Sequence, residues 1–329
     1  MSIQRKPFGS IPGIGEIEKI TIREGRSEVS VLTLGASLNS FRYTLKDNSV
    51  REIVSGSESV ESYVDDSTYK GQVVAPFANR IRDAVFTLNG ERFILDRNNG
   101  KNNLHSGSAN TGYKVWNVLF ECENGIVMNT STVDGEGGWP GNTGVTVSYM
   151  LKDDTLTITY TMKSDRTCVV NPTNHAYFNL NGCDTDCRKQ SIMINADKYI
   201  RTDEALIPVS EDSVDSDYDF RTSRVIGERR DGKYDTCYVL NSSTAAVLSG
   251  DDLTMTVTTD RPCIQLYTGE FFQSRMNREG GEPFTALALE TSSRIDPMNN
   301  GRTDEVLLEK DEVFRTVTSY SVKEKACCL

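Results

Sequence analysis

Val145-Thr146-Val147-Ser148-Tyr149-Met150, then the turn Lys152-Asp153-Asp154, then Leu156-Thr157-Ile158-Thr159-Tyr160 is the stretch that decides the fold class. Apolar and polar side chains alternate on both sides of a short acidic turn. A period of two sends successive side chains to opposite faces of an extended chain, so the stretch reads as a β-hairpin with one face buried. Working outward, the pattern returns in Ala84-Val85-Phe86-Thr87-Leu88, where Asn89-Gly90 precedes Phe93-Ile94-Leu95. Both central residues of a two-residue hairpin turn need positive φ, which Asn and Gly tolerate. A third hairpin reads Ala246-Val247-Leu248, Gly250-Asp251-Asp252, Leu253-Thr254-Met255-Thr256-Val257, and Ser30-Val31-Leu32-Thr33-Leu34 alternates as well. Many strands and few long stretches of helical period indicate an all-β chain, a sandwich or a barrel, with few short helices. There is no Pro- or Ser-rich linker, repeat or low-complexity tract, so one β domain over 1–329 is expected, with about 1–9 and 322–329 as peripheral tails. Residues 211–235 are polar and irregular and read as a long loop on the domain rim.

The 329 residues can bury a sizeable core. A hydrophobic fraction of 37% and a charged fraction of 25% fit a soluble globular protein. The net charge of −11 argues against nucleic acid, which needs a basic face, and disfavours anionic membranes. It is compatible with a neutral small molecule such as a monosaccharide. No apolar run is long enough for a membrane helix, and MSIQRKPFGS lacks the apolar stretch of a secretory signal. A prenylation box needs Cys fourth from the end, where Ala326 stands, so Cys327-Cys328 reads as part of a frayed tail, with palmitoylation the minor alternative. Eight cysteines without secretory context are expected to be reduced thiols of a cytoplasmic protein, and the sequons at Asn129 and Asn241 to be chance matches.

The chemistry-bearing residues are few. Only two histidines occur, His105 in Asn102-Asn103-Leu104-His105-Ser106-Gly107 and His175 in Asn171-Pro172-Thr173-Asn174-His175-Ala176-Tyr177-Phe178-Asn179-Leu180. Either could be a satisfied structural residue. The second run, however, sets many polar side chains inside an apolar strand pattern, and buried polar groups need partners or a ligand. Glu290 closes the apolar run Leu287-Ala288-Leu289; it reads as a strand end reaching water or as a base held at a cleft rim. Asn79-Arg80, after Val73-Val74-Ala75-Pro76-Phe77, is placed similarly, its bland reading being a solvated strand end. Two histidines 70 residues apart with no carboxylate or thiol at ligand spacing make a metal site unexpected. Glycine-rich phosphate loops and Gly-x-Ser-x-Gly elbows are absent, so no cofactor is expected.

Taken in order from about residue 10 to 320, these segments resemble the aldose 1-epimerase (galactose mutarotase) family. Phe77-Ala78-Asn79-Arg80-Ile81, Leu104-His105, Gly138-Trp139-Pro140-Gly141, Asn174-His175-Ala176-Tyr177-Phe178-Asn179-Leu180, Tyr234-Asp235, Ile264-Gln265-Leu266-Tyr267-Thr268-Gly269 and Leu289-Glu290-Thr291, trailed by Asp296 and Asn299, carry the resemblance. The sequence departs from the family pattern at Ala75-Pro76, Asp83, Ser106, Thr236, Ser292 and Ile295, which bears on sugar preference and loop shape; Asp83 tolerates a left-handed turn conformation. The resemblance implies a mutarotase-like supersandwich that interconverts the anomers of a free hexose. It implies Glu290 as the base on O1 and His175 as the acid on ring oxygen O5, with Asn79, Arg80, His105, Asp235 and Gln265 binding the sugar. No metal or cofactor is implied, and a monomer or weak dimer is expected. The scheme calls for a protonated His175 beside an ionised Glu290 near neutral pH. A non-catalytic sugar binder, a glycoside hydrolase using Glu290 and Asp235, and a hexose-6-phosphate epimerase are the competing readings.

Overall fold

The structure, a computed structural model, describes residues 1–64, 66–272 and 283–326. The deciding hairpin forms as the alternation predicts. Thr143–Lys152 pairs with Thr155–Ser164 from Thr143↔Ser164 to Lys152↔Thr155, around Asp153 and Asp154, both at positive φ. Val145, Val147, Tyr149, Leu156, Ile158 and Tyr160 fall on one buried face. The hairpin lies within a sheet of nine strands among the described residues, flanked by Gly125–Thr132 on one side and Phe314–Glu324 on the other. The other two hairpins also form: Thr244–Ser249 with Leu253–Thr259, and Val85–Leu88 with Glu91–Ile94 around Asn89 and Gly90, both at positive φ.

Against this sheet packs a six-stranded one, ordered Tyr177–Phe178, Leu287–Ser292, Cys263–Tyr267, Asp235–Val239, Lys198–Thr202, Pro208–Ser213. A five-stranded sheet that includes Gly15–Glu24, Ser27–Leu32 and Leu38–Thr44 closes the same core. The largest apolar cluster joins Ile20, Val31 and Phe41 to Val147, Ile158 and Tyr320 and to Ile264, Leu266, Leu287 and Leu289. The chain is a β-sandwich in which antiparallel sheets bury one face each.

Three expectations need correction. Residues 1–9 are not a tail: Ser2–Ile11 is an edge strand paired with Gly15–Glu24, although most of its side chains are exposed. Residues 322–324 close the strand Phe314–Glu324 between two neighbours, and Val322 is fully buried. The polar composition of both ends masked strands whose cohesion comes from ladder hydrogen bonds. Cys327 and Cys328 lie outside the described residues. The segment 211–235 is only partly a rim loop. Its start belongs to the strand Pro208–Ser213, and Phe220, Ile226 and Tyr234 are anchored in the main core.

Candidate active site

Glu290 sits in the middle of Leu287–Ser292, all six residues of which are buried. It is neither a strand end reaching water nor a rim group. Period-two alternation explains its direction. Leu287 and Leu289 point into the core, so Glu290 points to the opposite face. Cross-strand register then assembles a polar face: Glu290 opposes Gln265, and Gln265 opposes Cys237, two residues along from Asp235. The Gln265 Nε2 donates to Asp235 Oδ1 at 2.5 Å, and the Asn79 Nδ2 donates to Gln265 Oε1 at 3.3 Å.

His175 enters from the segment before Tyr177–Phe178. Its amide donates to Gln72 O at 2.9 Å, and its carbonyl accepts from Gly71 N at 2.9 Å. Gly71 has φ +68°, and a Cβ there would stand 2.2 Å from Leu38 O, so no other residue fits without moving backbone. The Asn174 side chain braces the same crossing by donating to Gly71 O at 2.7 Å.

His105 and Asn79 meet on two facing loops. Asn79 N donates to His105 Nδ1 at 3.2 Å, and His105 N donates to Asn79 O at 3.1 Å. An Nδ1 that accepts leaves the proton of a neutral imidazole on Nε2. His105, Ser106 and Asn79 all have positive φ. Ser106, where the family pattern has Gly, compensates: its Oγ donates to Phe77 O and accepts from Phe77 N, both at 2.8 Å. Trp139 stacks on Phe77 at 5.5 Å and donates its Nε1 hydrogen to Ser106 O at 3.1 Å, so the Gly138-Trp139-Pro140-Gly141 motif supports this loop from beneath. Asp83 adopts the expected left-handed conformation, φ +53°.

All seven residues singled out in the sequence line one cavity of about 230 Å³. His175 Nε2 and Glu290 Oε1 are 3.5 Å apart, and the two imidazole rings lie 5.4 Å apart, nearly edge to face. Among the described lining residues Arg80 is the one cation fixed in charge, held by Asn99 Oδ1 at 3.0 Å from its Nε. A phosphorylated sugar would call for more.

Burial governs the titration. It pushes Glu290 up to about 8, with the charge of Asp235 adding to the effect and Arg80 opposing it. Burial also pushes His175 down to about 4, against the pull of Asp66 and Asp235, and holds His105 well below the ordinary range. The sequence reading expected a protonated His175 beside an ionised Glu290. In the free pocket desolvation outweighs the attraction of nearby carboxylates, so burial favours the neutral form of each group, the carboxylic acid of Glu290 and the unprotonated imidazole of His175.

With that geometry in view, comparison with known proteins is decisive. The aldose 1-epimerase family model matches residues 18–321. The chain belongs to the aldose 1-epimerase family. An aldose 1-epimerase of Escherichia coli is 33% identical over 315 residues, 89% of this chain and 91% of that protein. A galactose mutarotase of Bos taurus is 30% identical over 337 residues, 97% and 98% of the two chains. Among solved structures, a galactose 1-epimerase from Lactobacillus acidophilus superposes with a TM-score of 0.88 at 24% identity, covering 99% of this chain and 100% of that one. An aldose epimerase homologue from C. elegans gives the same TM-score at 23% identity, covering 94% and 99%. These two likenesses carry the fold.

The cavity is also lined by residues that the sequence reading passed over. Tyr69 lies tilted 4.6 Å from the His105 ring and 5.9 Å from that of His175, at φ +57°, a conformation bulky residues rarely take. Tyr177 lies 5.0 Å from His175, and Tyr267, Leu206 and Phe271 complete the wall. Tyr177 and Tyr267 stood inside quoted motifs, whereas Tyr69 and Leu206 had no local signal. Sequence spacing also hid that His105, His175 and Glu290 bring one potential ligand atom each within 4.8 Å of one another. The trio has the composition of a metal site, but the His105 tautomer opposes it. To offer Nε2, His105 would have to give up the Asn79 hydrogen bond on Nδ1.

Proposed function

We propose that this chain, as one domain, is an aldose 1-epimerase that opens and recloses the ring of a free hexose, exchanging its α and β anomers. Glu290 and His175 make the two proton transfers. Asn79, Arg80, His105, Asp235 and Gln265 hold the hydroxyls. The observation that carries the reading is the 3.5 Å approach of His175 Nε2 to Glu290 Oε1 at the base of one partly open pocket.

Ring opening requires loss of the O1 proton and gain of one at O5. When Glu290 takes the first and His175 supplies the second, the pair passes from carboxylate and imidazolium to carboxylic acid and imidazole. That second arrangement is the one burial favours in the free pocket, so the site is electrostatically matched to the open-chain aldehyde. Rotation about C1–C2 and the reverse transfers give the other anomer. Both arrangements carry one proton, so pH does not separate them. His105, neutral with hydrogen on Nε2, is a donor to a sugar oxygen. Each well-placed proton-transfer group contributes about 10²–10⁴-fold. The reaction as written needs no metal or cofactor. A cytoplasmic setting belongs to the same proposal, and no described helix is long and apolar enough to cross a membrane. A monomer or weak dimer suffices, since one chain supplies every site residue.

Polarimetry on a freshly dissolved pure anomer tests the assignment. Glu290→Gln and His175→Ala should each cut turnover at least about a hundredfold with unchanged circular dichroism. Near-normal turnover in either variant rejects that residue's role.

A further inference from the structure

The turn from Asp66 to Gly71 touches both histidines of the pocket, yet the two proton transfers give it no task. Gly71 N donates to His175 O at 2.9 Å. Two residues earlier, the Tyr69 ring lies 4.6 Å from the His105 ring, with the planes 58° apart, and 5.9 Å from the His175 ring. Among the described residues Tyr69 is the one phenol in contact with both imidazoles, since Tyr177 meets His175 alone.

The imidazoles need such a neighbour. The His105 ring is tied through Nδ1, which accepts from Asn79 N at 3.2 Å, while His175 Nδ1 is buried with no hydrogen-bond partner among the described residues. A ring held at one atom can turn about its Cβ–Cγ bond. A half-turn of His105 would break the Asn79 bond and put a carbon where Nε2–H faces the sugar. Tyr69, packed against that ring, blocks the turn.

Tyr69 is itself held at a conformational cost. Its φ of +57° is unfavourable for a bulky side chain, and such a conformation persists only where its surroundings over-determine it. Asp66 supplies that hold. Its Oδ1 accepts from Thr68 N at 3.0 Å and from Thr68 Oγ1 at 2.5 Å, and its Oδ2 accepts from Lys70 N at 2.7 Å. The residues on either side of Tyr69 are thus bound to one carboxylate, whose side chain is 4% exposed and lies 3.9 Å from Lys70 Nζ. Gln72 N donates to Tyr69 O at 3.1 Å, and Tyr177 Oη donates to Thr68 O at 3.0 Å. The Tyr69 hydroxyl interacts with that of Tyr113, so the part of Tyr69 that meets the histidines is its ring.

We propose that Tyr69 is a positioning residue for the reaction: its ring fixes the planes of His105 and His175, and the Asp66 turn fixes the ring. Tyr69 acts through the histidines and not on the sugar. This rests on the epimerase reading above.

The test pairs polarimetry on a free hexose with long-range 1H–15N spectra of the imidazoles. The chain has two histidines, so the spectra hold two ring systems, which His175→Ala assigns. In the parent, His105 should show a single tautomer with hydrogen on Nε2. Tyr69→Leu should lower kcat/KM at least about tenfold at unchanged circular dichroism, and the His105 signals should average between tautomers. Tyr69→Phe, which keeps the ring, should stay within about twofold of the parent. Asp66→Ala should reproduce the Tyr69→Leu loss, and the double variant should be no worse than either, because the two residues act as one unit. Asp66→Asn keeps the acceptor for Thr68 and loses the one for Lys70 N, so it should fall between parent and Asp66→Ala. Parent-like kinetics and tautomer in Tyr69→Leu overturn the proposal. A kinetic loss with unchanged His105 signals overturns it by placing Tyr69 on the sugar. Equal losses in Tyr69→Phe and Tyr69→Leu overturn it by making the hydroxyl the working group, and additive losses in the double variant overturn it by separating Asp66 from the ring. A parent that accelerates no free hexose sinks the epimerase reading instead, and with it the task given to Tyr69.

Discussion

Replacing Glu290 by Gln should stabilise the folded protein while abolishing turnover, and the gain should grow with pH. Glu290 titrates at about 8 in the folded protein against an ordinary value of 4.5. A folded value above the unfolded one means that the folded state holds a proton that the unfolded chain releases. Glu290 therefore costs nothing below about pH 4.5, and stability is lost as pH rises from there through 8. Each pH unit across that window is worth about 1.4 kcal/mol, so the cost is about 3 kcal/mol at pH 7 and approaches about 5 kcal/mol above pH 8. Gln has the shape of the protonated acid and does not titrate. The variant should match the parent near pH 4.5 and exceed it by about 3 kcal/mol at pH 7. At about 2.1 cal/mol/K per residue, a chain of this length has an unfolding entropy near 0.7 kcal/mol/K, so Tm should rise by about 4 °C. Differential scanning calorimetry of both proteins at about pH 5, 7 and 9 reads this directly. A gain that stays constant across the three pH values, or a loss that deepens with pH, would refute the claim that burial holds this carboxyl protonated.

Further outcomes follow from the same site. The rate should be flat between about pH 4 and 8 and fall on both sides: below, His175 and Glu290 are both protonated and no base remains; above, both are deprotonated and no acid remains. A pH profile of kcat/KM for a free hexose checks this, and a single sharp optimum at alkaline pH contradicts it. Ser106→Ala removes both hydrogen bonds to the Phe77 backbone and should cost about 1–3 kcal/mol, read by urea denaturation, with a raised KM as the His105 loop loosens. Gly71→Ala, which sets a Cβ against Leu38 O at positive φ, should destabilise by more than about 1 kcal/mol and misplace His175; an unchanged midpoint would show that the crossing yields easily.

Alternation at Thr143–Lys152 and Thr155–Ser164 is written in adjacent residues, because the period of an extended chain is a local property, and so are the positive-φ turns at Asn89-Gly90 and Asp153-Asp154. The sequence therefore determined the all-β class, its hairpins, and through ordered motifs seven of the residues that line the pocket. Tertiary structure decided what those residues experience. Glu290 reads as a strand end because Thr291 and Ser292 follow it, yet neighbouring strands cover all three, and nothing local reports that cover. Its register against Gln265, the 3.5 Å approach to His175 and the left-handed Tyr69 beside both imidazoles join segments from 25 to 115 residues apart in the chain. The proton's place follows from the same cause: desolvation depends on what other parts of the chain pack around a group, so a carboxyl and an imidazole expected to be charged are both neutral in the free pocket.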